Sequence, residues 1–261
     1  MDKKVIATGI DVSYANGRPD WSELKGKIDF AILRCGFGGD TESQDDVQFF
    51  YNVKGCQENS IPYGVYLYSY ATSITKAESE AAHTLRLIKN LKFDLPVFLD
   101  LEEPRISELG KTRVLEIAKT FCNIIENAGY TYGTYANKNW FDSYLTDPWY
   151  DKKIKWLAQY NSTVTYKGRY DIWQYTSSGT FDGLNGKFDL NRSYVSFLEG
   201  DVNEDGKITA ADARTILRAS AGLEKLDPSQ TENADVNNDG KITAADAREV
   251  LRRSAGLELY G

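Results

Sequence analysis

Short apolar runs alternate with amphipathic stretches along the first half of the chain, and no other feature restricts its folding as much. Val5 to Ser13, Phe30 to Gly36, Tyr63 to Tyr70, Leu95 to Glu102 and Thr131 to Ala136 read as strands. Between them, Trp21 to Lys25, Val47 to Glu58, Lys76 to Leu91 and Ser107 to Ala128 have helical spacing, the last with Ser107 as N-cap and Gly129 as C-cap. Beyond Ala136 the helices fade, and Ile154 to Tyr160, Tyr170 to Thr176 and Lys187 to Arg192 follow as strands joined by turn-rich loops. Strands apolar on both faces with helices between them predict a parallel barrel of eight strands, its working loops at the strands' C-terminal ends.

The fourth run, Leu-Pro-Val-Phe-Leu-Asp-Leu-Glu, ends on two acids, Asp100 and Glu102. Alternate strand residues share a face, so these carboxylates project together, about 6 to 7 Å apart at the backbone. Crowding at the edge of an apolar barrel favours one carboxyl protonated and one ionised near neutral pH, as glycosidic bond cleavage requires. A net charge of −7 argues against a nucleic-acid surface, while 17 Tyr and 5 Trp suit a cleft for sugar rings. No run of 18 apolar residues is present, so no membrane span is expected. The single histidine, His83, disfavours a Ser-His-Asp hydrolase and most catalytic zinc sites, and is expected at a surface or boundary. Cys35, Cys56 and Cys122 form no C-x-x-C pair and are expected to be free buried thiols. Met1-Asp2-Lys3-Lys4 lacks the apolar core of a signal peptide, so either the chain stays in the cytosol or a leader has been removed.

Several motifs acquire meaning from their order. Gly9-Ile-Asp-Val-Ser13 with Trp21, Gly64-Val-Tyr66, Asp100-Leu-Glu102, Tyr132-Gly-Thr-Tyr135, Trp173-Gln-Tyr175 and Phe188-Asp-Leu-Asn-Arg192 together resemble the family 25 glycoside hydrolases, lysozymes of the Chalaropsis type. The resemblance runs from about residue 5 to 194. It implies an α/β fold, an irregular TIM-like (β/α)5β3 barrel, and N-acetylmuramidase activity without a catalytic cofactor. Matched by motif, Glu102 is the general acid and Asp100 its partner, with Asp11 and Asp189 as the other two acids of one pocket. Tyr66, Tyr135 and Trp173 are candidate sugar contacts, and Asp182 is left as a loop residue. Spacing alone leaves retaining, inverting and substrate-assisted routes open. The likeness of Asp-x-Glu to chitinase-like enzymes favours the substrate's own acetamido group as nucleophile, steadied by Asp100.

After Leu198 the composition changes and a repeat appears. Asp201-Val-Asn-Glu-Asp-Gly-Lys-Ile-Thr-Ala-Ala-Asp212 recurs 34 residues later as Asp235-Val-Asn-Asn-Asp-Gly-Lys-Ile-Thr-Ala-Ala-Asp246. Positions 1, 3, 5 and 12 supply hard oxygens, position 7 a carbonyl, and Gly206 and Gly240 the tight turn of a calcium loop. Two structural Ca²⁺ ions are expected, one held by Asp201, Asn203, Asp205, Lys207 (carbonyl) and Asp212, the other by Asp235, Asn237, Asp239, Lys241 (carbonyl) and Asp246. Each loop runs into a short amphipathic helix with no full helix before it, so the pair resembles a type I dockerin of two half EF-hands, a small all-α domain. That implies a cohesin module on a cellulosome-like scaffold as partner and a secreted, extracellular protein.

The expected organisation is a catalytic barrel over 1–198 and a dockerin over 199–261, acting as a monomer on peptidoglycan strands. Two functional classes remain, a secreted muramidase docked on a scaffold and a non-catalytic module that holds cell-wall glycan on the same scaffold. Four intact acids favour the first. A chitinase is disfavoured because Val97, Phe98 and Leu99 stand where the longer chitinase signature has acids.

Overall fold

The computed structural model describes residues 3–237 and 239–257. Met1, Asp2 and residues 258–261, included in the two expected domains, lie outside the described residues. The chain divides into two compact units, Thr8–Ser193 and a second that combines the chain from Tyr194 onward with the segment ending at Ala7. This division precedes the expected one after Leu198. Within the second unit Lys4 Nζ donates to the Glu204 carbonyl at 3.4 Å, and a Cβ on Gly206 would stand 3.1 Å from the Ile6 carbonyl, which explains why the N-terminal segment belongs there.

In the first unit, β1 (Ala7–Val12), β2 (Phe30–Phe37), β3 (Tyr63–Tyr68), β4 (Val97–Asp100), β5 (Tyr132–Asn137), β6 (Ile154–Ala158), β7 (Ile172–Gly179) and β8 (Phe188–Ser193) form a closed barrel in chain order. The fold class is the α/β barrel expected. Pairing is parallel from β1 through β7, and β8 runs antiparallel to β7. The β7–β8 connection is too short for a crossover helix, so the chain must return as a hairpin. Helices α1 (Trp21–Leu24), α2 (Phe49–Asn59), α3 (Ile74–Ile88), α4 (Pro104–Ser107), α5 (Gly110–Asn127) and α6 (Lys138–Ser143) intervene. The helix expected from Ser107 starts at Gly110 instead, with Leu109 and not Ser107 at its cap. Pro104 opens α4 at its first turn, where its missing N–H costs nothing, and Ser107 closes that turn by donating to the Pro104 carbonyl. The sequence reading missed α6, which is too short to show a helical period.

Side-chain alternation builds two layers. Ile10, Val12, Leu33, Val65, Leu67 and Leu99 face the helices, whereas Tyr66, Phe98 and Tyr135 fill the barrel and meet Trp156 edge-on at centroid distances of 5.8, 5.3 and 4.5 Å. Such rings need a small neighbour. A Cβ on Gly133 would lie 2.7 Å from the Phe98 ring.

The three cysteines are free and buried, on β2, α2 and α5, and burial pushes the Cys35 thiol up to about 12, so these thiols are inert. His83 corrects its expectation. It is fully buried on α3, with Nδ1 3.0 Å from the Gly38 carbonyl and Nε2 2.8 Å from Asp45, pinning the loop after β2. Among the described residues no helix is long and apolar enough to cross a membrane.

The second unit holds α7 (Ala210–Ser220), α8 (Pro228–Ala234) and α9 (Ala244–Ser254) over a thin core in which Val202, Ala213 and Ile216 match Val236, Ala247 and Val250. The short α8 precedes the second loop, where no full helix was expected. Its seven residues are mostly polar and give no period to read, but Asp227 caps it and Pro228 opens it.

Helix α2 packs on α1 through Gly55. In open helix, Gly to Ala stabilises by about 1 kcal/mol. Here a Cβ would stand 2.1 Å from Trp21 Cδ1. Gly55→Ala is therefore expected to destabilise the barrel by about 1–3 kcal/mol. Denaturant unfolding followed by tryptophan fluorescence checks the sign, and all five Trp lie in the barrel unit.

Candidate active site

The barrel mouth at the C-terminal ends of the parallel strands brings together the four acids expected. Asp11 stands one residue before the end of β1 and Asp100 ends β4. Asp189 lies in β8. Glu102 lies just past β4 rather than within it. The Leu101 amide still donates to the Tyr135 carbonyl at 2.9 Å, and the strand then stops because Pro104 restricts the residue before it and starts α4.

The acids occupy different environments. Asp11 is buried, and its Oδ2 accepts from Gln174 Nε2 and Asn191 Nδ2, both at 2.8 Å. Burial, with Asp189 and Glu102 nearby, raises its pKa well above the ordinary value, and the two amides oppose that rise. Asp100 is buried too, with Oδ1 lacking any hydrogen-bond partner, and its pKa is raised by burial and then by Glu102 and Asp11. Arg34 on β2 opposes this shift, its Nε held by Asp46 at 2.7 Å. Glu102 is only half-buried, its pKa raised by burial and then by Asp189. Burial lifts Asp189 to about 6.

Glu102 borders a cavity of about 330 Å³, lined also by Tyr135, Asn137, Lys138, Asn139 and Tyr160 among others. Of the expected sugar contacts, Tyr66 and Tyr135 point into the barrel beside the acids, and both phenols are pushed up by burial and by these carboxylates. Trp173 is not brought to the cluster. Gln174 reaches inward to Asp11, so its neighbour points outward. The Trp173 indole N–H donates to the Gln159 carbonyl at 2.8 Å, and the ring packs under the Arg192 guanidinium at 5.4 Å. The sequence reading missed Gln174, Asn191, Tyr160, Arg34 and the α6 edge of the cavity. The available signal was parity, since Gln174, Asn191 and Arg34 sit on inward positions of strands already identified. Asp182 lies in the exposed β7–β8 connection, as expected.

In the second unit the two loops are built on carboxylates that gather backbone amides. Asp201 accepts from Asp205 and Gly206 at 3.1 and 2.9 Å, and Asp235 from Asp239 and Gly240 at 3.1 and 2.8 Å. Thr209 and Thr243 cap α7 and α9, with Asp212 and Asp246 reaching back as capping-box partners. That double duty suits Asp at position 12. The oxygen donors fit a hard cation. Asn203 Oδ1 and Asp246 Oδ1 are buried acceptors with no hydrogen-bond partner, although among the described residues no three acidic, His or Cys side chains form a metal cluster by themselves. Asn203, Asn237 and the Lys207 and Lys241 carbonyls would complete the sets.

Residues 10–184 match the family described as glycosyl hydrolases family 25. The chain belongs to that family. Residues 199–253 match the type I dockerin domain, a calcium-binding module. The family 25 chain is 24% identical over 238 residues to an autolytic lysozyme of Clostridium acetobutylicum, covering 87% of this chain and 70% of that protein. Among solved structures, the modular autolysin LytC of Streptococcus pneumoniae is 29% identical with a TM-score of 0.64, covering 71% of this chain but only 46% of its own. The chain thus spans under half the length of that relative. A family 25 glycosyl hydrolase of Bacillus anthracis, 23% identical over 74% of this chain and 91% of its own with a TM-score of 0.63, shares the fold.

Acids with raised pKa make the fold pH-dependent. A carboxyl whose pKa is higher folded than unfolded binds more protons in the native state. Its contribution to stability is present below the unfolded value near 4 and is lost as pH rises through the folded value, about 6 for Asp189. Asp11, Asp100 and Glu102 shift in the same direction. The barrel is expected to melt at higher temperature at pH 5 than at pH 7, and Asp189→Asn to stabilise it at pH 7. Tryptophan-detected melts check both; a barrel more stable at pH 7 contradicts the assignment.

Proposed function

We propose that the protein is a secreted muramidase, cutting the β-1,4 bond between N-acetylmuramic acid and N-acetylglucosamine in peptidoglycan, and that its dockerin, loaded with two Ca²⁺ ions, holds it as a monomer on a cohesin of a cellulosome-like scaffold. The observation that carries the reading is the division of environments among four acids at one mouth. Glu102, half-buried beside the cavity with a raised pKa, is the acid that protonates the leaving oxygen. Asp100, behind it, has one oxygen with no donor, and the N–H of a 2-acetamido group fits that oxygen. The acetamido oxygen then attacks C1 as the glycosidic bond breaks and the leaving oxygen takes the Glu102 proton. Water opens the cyclic intermediate, with Glu102 as base. Asp11 and Asp189 supply negative charge toward the developing oxocarbenium, and Tyr66 and Tyr135 flank the sugar. The autolytic character of the similar proteins supports a cell-wall substrate, and a dockerin supports work outside the cell.

Glu102→Gln keeps the shape but has no proton to donate, so digestion of purified peptidoglycan is expected to fall by about 10² to 10⁴ with a tryptophan melt no lower than that of the wild type. Near wild-type turbidity loss by the variant contradicts the assignment. Calcium tests the second half of the reading. The thin core of the second unit and its crowded carboxylates couple folding to metal, so titration is expected to show two bound ions, while chelation lowers helicity and abolishes cohesin binding. Peptidoglycan digestion should continue in chelator. Cohesin binding that persists without calcium contradicts the docking reading.

A further inference from the structure

Gln174 joins one acid of the mouth to two phenols. Its amide nitrogen donates to Asp11 at 2.8 Å, and its amide oxygen accepts from two phenols at once, Tyr135 and Tyr160, each at 2.9 Å. The orientation follows from chemistry. Asp11 Oδ2 also accepts from Asn191, whose amide is fixed by the donor-only Trp156 indole, so that oxygen is an acceptor and the NH₂ end of Gln174 faces it, leaving the amide oxygen to face the phenols. Each phenol has a single proton and gives it to Gln174. With their protons committed there, the two hydroxyls, which also lie against each other, have only lone pairs left to offer, and both tyrosines line the cavity beside Glu102. Asn191 reinforces the charge on Asp11 from β8, and its own oxygen is held by the Trp156 indole N–H at 2.7 Å.

Resting on the muramidase reading, we propose that Gln174 is a positioning residue that ties the ionised state of Asp11 to the direction of the Tyr135 and Tyr160 hydroxyls, so that the cavity wall presents oxygen acceptors to a hydroxyl or acetamido N–H of the bound sugar. Protonating Asp11 gives it a donor of its own. The amide can then turn over, offering NH₂ to the phenols and reversing the hydrogen-bonding sense of the wall. Sugar binding at this wall therefore weakens below the pH at which Asp11 takes a proton. The groups facing Asp11 in this arrangement are Asp189, Glu102 and Asp100, the phenols Tyr66, Tyr135 and Tyr160, and the Arg34 cation that bears on Asp100 and Tyr66.

Two variants of the full chain test this. In Gln174→Met the Asp11 carboxyl, followed by carbon NMR and identified with Asp11→Asn, is expected to titrate about one unit higher. The acid limb of the pH–rate profile on purified peptidoglycan should move with it. In Tyr160→Phe, at a position 54% exposed and tolerant of change, KM is expected to rise about 5- to 10-fold with kcat nearly unchanged. Asp11 titrating at the same pH in Gln174→Met overturns the coupling. Should that variant not fold, Tyr160→Phe decides: an unchanged KM overturns the proposal. If the wild-type protein leaves peptidoglycan intact while the Asp11 titration still moves, the muramidase reading fails and the coupling stands.

Discussion

Closure of the barrel is the constraint on which the rest depends. Eight strands joined edge to edge must send every second side chain into a narrow interior, and here that interior is taken by Tyr66, Phe98, Tyr135 and Trp156, with Gly133 leaving room for a ring. An interior filled with rings holds little water. The next inward positions toward the mouth are Asp11, Asp100, Gln174 and Asn191, so acids are lifted onto an apolar floor with only a few donors to satisfy them. Their raised pKa values follow from that placement. The same packing that gives the barrel its core makes its mouth electrostatically costly, which is why removing one of these charges is expected to strengthen the fold.

Most of the barrel is legible in the sequence because its strands are apolar on both faces and its long helices keep a clean period. What escapes is short or non-local. Six residues of α6 and seven of α8 give no period to read. The turn from β7 into β8 is a question of loop length and not of strand composition. His83 reads as a boundary residue from its helix, yet the β2 loop folds over it, and no local pattern reports that.

The acids of the site are legible for a similar reason, since strand ends and motif order mark them without knowledge of contacts. Their roles depend on what stands opposite. Trp173 and Gln174 are neighbours, both polar-tipped, and only parity decides that the amide meets Asp11 while the indole turns away under Arg192. The two repeat loops are the opposite case. Their proposed ligands are local in sequence, so the spacing alone suggests the chemistry, and the structure adds the capping role of Asp212 and Asp246.

Four unequal acids at one barrel mouth are proposed to cut a muramic acid bond. The decisive measurement is digestion of purified peptidoglycan with the full chain, the new reducing ends being identified by mass analysis. N-acetylmuramic acid is expected at every new reducing terminus. N-acetylglucosamine there, or glycan bound without new ends, would contradict the proposal.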